Sequence, residues 1–100
     1  MSTLIVGKFT GDTATFRRAV EERGSEFAAF GERARQGGCI HHRFGVGDGF
    51  VVVVDEWESA DHFQRFFEDP ELQSFIASAG AASGPPELTF TEAVDSPDEF

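Results

Sequence analysis

The order of elements along this chain predicts an α+β domain, a ferredoxin-like βαββαβ split motif: four antiparallel strands with two helices on one face. Three observations predict it. Apolar residues recur at three- and four-residue steps over two long stretches. Four short runs of β-forming residues flank those stretches. Glycine pairs and an Asp-Pro step punctuate the joins.

Leu4 to Phe9 is rich in β-formers and closes on Thr10-Gly11, so it reads as the first strand. Asp12 and Thr13 can cap a helix, because their side-chain oxygens accept from the free amides of a first turn. Phe16, Ala19, Val20, Arg23, Phe27, Phe30 and Ala34 then lie along one face of a single long amphipathic helix. Gly24 weakens its middle by up to ~1 kcal/mol relative to Ala. Gly37-Gly38 ends it. Cys39 to Val46 and Phe50 to Trp57 read as the second and third strands, joined through Gly47-Asp48-Gly49. The unbroken run Val51 to Val54 fits a strand covered on both faces. Ser59 caps the second helix, whose apolar face is Phe63, Phe66 and Phe67. The residue before a proline avoids helical angles and proline suits a first turn, so the helix breaks at Asp69-Pro70 and restarts. It then carries Leu72, Phe75, Ile76 and Ala79 to Gly80. Ala81 to Pro86 reads as a loop, and Glu87 to Val94 as the fourth strand.

The chain of 100 residues reads as one domain, 1–95, followed by an acidic C-terminal tail, 96–100. It is 40% hydrophobic, with twelve Phe and no Tyr, too apolar for a disordered segment. The net charge is −10, from 18 acidic and 8 basic residues. Residues 51–100 hold one basic group, Arg65, against twelve acidic ones. Such a balance argues against a nucleic-acid partner and against docking on an anionic membrane. No apolar run approaches the ~20 residues that cross a bilayer. The N-terminus lacks a signal-peptide pattern. One cysteine makes no internal disulfide, so the expected location is cytoplasmic.

Two helices cover one face of a four-stranded sheet. Here the strand residues of both parities are apolar: Leu4 and Val6 against Ile5 and Phe9, Val52 and Val54 against Val51 and Val53. A bare apolar face is more than a small monomer shows, so the expected partner is a second copy, packed sheet on sheet.

Gly38-Cys39 opens a strand after a long helix. Asp55-Glu56-Trp57-Glu58-Ser59 leads into the second helix, and Phe63, Asp69-Pro70, Leu72 and Phe75 follow. In these features, over residues 3 to 95, the chain resembles the antibiotic biosynthesis monooxygenase-like (ABM) domains of the dimeric α/β-barrel superfamily. The resemblance implies a homodimeric barrel with a pocket in each subunit. It also implies candidate chemistries: cofactor-free oxidation of a small aromatic, phenolic or quinone-like molecule, haem breakdown, or an unassigned small-molecule role. Haem-degrading members carry a Trp inside the second helix and a following His as iron ligand. Phe66 and Ile76 hold those places here, and neither offers iron a lone pair, so no cofactor is expected.

His41 and His42 are strand neighbours that point to opposite faces, and no metal-ligand spacing is present. If Gly47-Asp48-Gly49 is a three-residue loop, Val46 faces Phe50, His41 faces Asp55 and Cys39 faces Trp57. His41, Arg43, Asp55 and Trp57 then share the face turned toward the dimer pocket, while Ile40, Phe44, Val52 and Val54 pack beneath the helices. Two-residue loops would instead set Asp55 opposite Ile40 or His42. On the first register the expected catalytic pair is His41 and Asp55, with Trp57 and Arg43 binding substrate. The carboxylate would fix the imidazole tautomer, and the pair could deprotonate a phenol while the indole stacks on a flat ring. The same residues also suit an ordinary cross-strand ion pair. Cys39 reads as a small buried packing residue. No phosphate loop, dinucleotide fingerprint or hydrolase elbow occurs. Three readings stand: a cofactor-independent oxygenase, a non-catalytic small-molecule-binding module, and a structural dimer.

Overall fold

The computed structural model describes residues 1–81 and 84–100. The strands are β1 (Thr3–Thr10), β2 (Cys39–Val46), β3 (Phe50–Trp57) and β4 (Glu87–Glu92). The helices are α1 (Thr13–Glu22), α2 (Gly24–Gln36), α3 (Ala60–Phe67) and α4 (Pro70–Ser78). The strands form one antiparallel sheet in the order β2-β3-β1-β4. This is the ferredoxin-like α+β fold. Ala82 and Ser83, part of the expected Ala81–Pro86 loop, lie outside the described residues.

The first helical stretch is two helices, not one. Arg23 leaves helical angles at φ −119° and ψ 31°, next to Gly24, a weak helix former. The break is anchored from outside: the Arg23 guanidinium bonds Ser78 Oγ at 2.9 Å and lies over the Phe75 ring. It lets α1 direct Phe16 and Ala19 to the core cluster of Phe9, Val51 and Val53, while α2 directs Ala34 to that of Ile5, Cys39, Trp57 and Phe63. The second stretch breaks where proline requires it. Asp69 is extended at φ −60° and ψ 120°, and its side chain caps α4 by accepting from the Glu71 N–H. Ser59 caps α3 in the same way, accepting from the His62 N–H.

The hairpin corrects the expected register. Val46 pairs with Val51, not Phe50, and the turn centres on Asp48-Gly49, with Gly49 at φ 80°. Val51, Val53, Asp55 and Trp57 therefore face the helices, beside Ile5 and Phe9 of β1. Val52 and Val54, expected beneath the helices, lie on the open face. A β-bulge at Ile40 then shifts the pairing by one, so Cys39 still meets Trp57. The bulge also leaves Ile40 exposed rather than packed under the helices. Phe44 does pack under them, edge-on to Phe16 and Phe27.

Candidate functional site

The open sheet face and the helix-covered face divide the four expected site residues two and two. His41 stands opposite Glu56 and Arg43 opposite Val54, both on the open face. Asp55 and Trp57 lie on the other face, beneath the helices. The imidazole across from Asp55 is that of His42. The slip of one residue in the turn makes this exchange, since each residue of a strand points opposite to the next. The sequence carried a signal for it. Asp-Gly is a strong two-residue hairpin dipeptide, and centring the turn on Asp48-Gly49 yields the observed pairing.

Asp55 is the buried acidic group of this face, only 5% exposed. Burying an unpartnered carboxylate is costly. Here both oxygens are satisfied: Oδ1 lies 2.7 Å from His42 Nδ1, and Oδ2 accepts from the Trp57 indole N–H at 3.0 Å. The carboxylate selects the His42 tautomer with its proton on Nδ1, which leaves the Nε2 lone pair free. His42 is itself half-exposed, on the edge strand β2. Trp57 is almost wholly enclosed, with its indole against the rings of Phe63 and Phe66.

These three side chains form the polar end of a cavity of about 100 Å³ between the sheet and the helices. Its walls are otherwise apolar. Phe9, Val51 and Val53 come from the sheet, Phe16, Phe27 and Phe30 from α1 and α2, and Phe63, Phe66 and Phe75 from α3 and α4. The helical phenylalanines read as core in the sequence thus also line a cavity. Phe66 and Ile76, at the places the family resemblance reserves for haem ligation, line it as well. With no lone pair between them, those places do not fit a haem iron.

Cys39 borders the same region. Its Sγ–H donates to the His41 carbonyl at 3.3 Å, and burial together with the nearby Asp55 carboxylate pushes the thiol up to about 11. It is held as a neutral packing group rather than a nucleophile. Among the described residues, no group of three or more His, Cys, Asp and Glu side chains is placed to hold a metal ion. None of the described helices is long and apolar enough to cross a membrane.

No protein-family model and no curated protein matches the sequence. Solved structures do match in fold. SnoaB, a cofactor-independent oxygenase from Streptomyces nogalater, is 24% identical with a TM-score of 0.66, over 98% of both chains. A monooxygenase from the gene ActVA-Orf6 of Streptomyces coelicolor, in complex with nanaomycin D, is 24% identical with a TM-score of 0.68. That match covers 95% of this chain and 89% of the other. A putative antibiotic biosynthesis monooxygenase from Caulobacter crescentus is 16% identical with a TM-score of 0.65, over 94% and 91% of the two chains. The fold is that of an ABM-like domain.

Proposed function

We propose that the protein is a cofactor-independent monooxygenase acting on a small aromatic or quinone-like molecule bound between the sheet and the helices. The observation that carries this reading is the Asp55–His42 pair at the end of an aromatic-walled cavity, with the free His42 Nε2 as its proton acceptor. Two similar folds described as an oxygenase and a monooxygenase support it.

The chemistry balances without an added reductant. His42 Nε2 takes the proton of a phenol, and Asp55 stabilises the imidazolium that forms. The electron-rich phenolate gives an electron to dioxygen, and the two radicals combine to form a C–O bond at a ring carbon. The resulting hydroperoxide loses that carbon's hydrogen and its O–O bond as water, which leaves a quinone. Phenol plus O₂ thus gives quinone plus H₂O. The rings of Phe63 and Phe66, with Trp57, hold the flat substrate and exclude water.

Oxygen uptake tests the reading. With metal-free, flavin-free protein and a panel of phenols and hydroquinones, we expect quinone formation at one O₂ per substrate, lost in His42→Ala. Absence of enzyme-dependent uptake across the panel overturns it. A second reading, a binding module for small aromatic molecules, is favoured by the mutual satisfaction of the Asp55, His42 and Trp57 polar atoms. Binding without uptake would select it.

The same reading takes the protein as a homodimer. Leu4, Val6, Ile40 and Val54 are large apolar residues exposed on the sheet surface, and Val6 pairs directly with Val54 on the central strands. A second copy covers such a face at least cost. The unpaired cysteine suits a cytoplasmic location.

A further inference from the structure

A second recess lies outside the cavity, on the surface where the end of α2 meets the start of α3. It is a groove of about 400 Å³ lined by Gln36, Gly37, Glu58, His62, Arg65 and Phe66. Phe66 alone lines both this groove and the interior cavity. Its ring sits against the indole of Trp57, with centroids 5.4 Å apart. Gly37 thins the groove floor at the same place: a Cβ there would come within 4.0 Å of the Trp57 ring. The substrate cavity and the groove are therefore separated by the thickness of one aromatic ring.

We propose that Phe66 determines substrate size: it closes the cavity against the groove and so limits the site to molecules with a single aromatic ring. The inference rests on reading the cavity as the substrate site. The cavity of about 100 Å³ is on the scale of the ~150 Å³ apolar cavity that accepts one benzene ring. It is well below the ~300–1,000 Å³ of drug-sized ligand sites. Removing the Phe66 ring opens the cavity into the groove, and the joined space reaches that larger class. A second fused ring would then extend past Trp57 into the groove. The groove's Gln36 and His62 would meet polar substituents on the far end of such a molecule.

Calorimetric titration with phenol and 2-naphthol tests this. In bulk apolarity the naphthol is the better ligand, so a site without a size limit prefers it. We expect wild-type protein to bind phenol at least tenfold more tightly. Phe66→Ala should reverse the order, with naphthol affinity raised at least tenfold. Phe66→Leu, which keeps more of the core, should move both affinities the same way by less, and serves if the alanine variant fails to fold. Phe30→Ala enlarges the cavity on its α2 wall, away from the groove, and should change the ratio less than threefold. Equal or tighter naphthol binding by wild type overturns the proposal. So does an unchanged ratio in the Phe66 variants, a Phe30→Ala effect as large as that of Phe66→Ala, or failure of phenol to bind. Oxygen uptake is measured on the same samples. Size-ordered binding with no uptake would sink the oxygenase reading and leave the role of Phe66 intact.

Discussion

Asp55 and His42 face one another across the β2–β3 ladder, with Oδ1 2.7 Å from Nδ1, while the other Asp55 oxygen holds the Trp57 indole. One buried carboxylate thus satisfies two donors on the apolar wall of a cavity. Asp55→Ala leaves both donors without that acceptor. The expected cost is about 1–3 kcal/mol, the range for stranding buried polar groups. Urea unfolding at neutral pH checks it. An unchanged midpoint would show that the carboxylate does not hold the two rings in solution.

The two adjacent histidines give opposite outcomes. His42→Ala removes the proton acceptor, and turnover should fall about 10²- to 10⁴-fold with far-UV circular dichroism unchanged. His41→Ala, on the opposite sheet face, should retain turnover within about twofold. The comparison reads the register directly, because a slip of one residue would exchange the two results.

The strands, the capped helices and the break at Pro70 were legible because each rests on local chemistry. Ser59 and Asp69 cap, Pro70 starts a turn, and Phe63 and Phe75 repeat at helical steps. The face of β3 was not legible from its own residues. Val51 to Val54 are apolar at both parities, so the strand carries no alternation to orient it. Orientation fell to the turn, where Gly47-Asp48-Gly49 admits a two- or a three-residue loop. The cost of burying a carboxylate argues for the three-residue loop, which would keep Asp55 off the helix-covered face. The structure removes that objection with two partners, His42 and Trp57, the first of which reaches Asp55 only in the two-residue register. The bulge at Ile40 is a non-local adjustment with no signal in the residues around it. The split at Arg23 was half-visible, as Gly24, but its anchor on Ser78 and Phe75 lies in a distant helix.

Cys39 should be inert in the folded protein. Burial first, and the Asp55 charge second, raise its thiol to about 11. At pH 8 the thiolate is on the order of one part in a thousand. Iodoacetamide at pH 8 should leave native protein unlabelled over an hour and label it fully in urea. The same shift sets an alkaline limit. The folded thiol holds its proton more tightly than the unfolded one, so its contribution is fully present below about pH 9 and is lost as pH rises toward 11. Rapid native labelling at pH 8 would show the site to be open.

Asp12 governs the acid side of α1. Its side chain accepts from the Thr15 N–H, and that bond, with the Thr15 hydroxyl, lowers the carboxyl below its ordinary value of 3.8. A lowered carboxyl contributes stability above the unfolded value and loses it as pH falls through the folded one. Asp12→Ala should therefore reduce the thermal midpoint at pH 7. The gap from wild type should narrow as pH falls through the lowered folded value, where the wild-type side chain loses its charge. A gap that persists at pH 2 would assign the effect to something other than the ionised cap.

Val6 and Val54 are direct cross-strand partners at the centre of the sheet, both about half-exposed, with Leu4 and Ile40 exposed nearby. Sheet-on-sheet pairing would bury all four in each copy, so wild-type protein should sediment at about twice the 10.9 kDa chain mass at micromolar concentration. Val54→Glu places a charge at the middle of that contact. On the dimer it is costly, because a buried carboxylate without a partner is unfavourable. On the single chain it costs little, because the residue is already half in water. The variant should sediment as a monomer with an unchanged circular dichroism spectrum. His42, Asp55 and Trp57 come from one chain and lie on the opposite sheet face, so this monomer should still bind phenol within a fewfold of wild type. A wild-type protein that sediments at the chain mass rules out the sheet-face dimer. A Val54→Glu monomer that loses phenol binding would mean that the second copy shapes the cavity through the sheet.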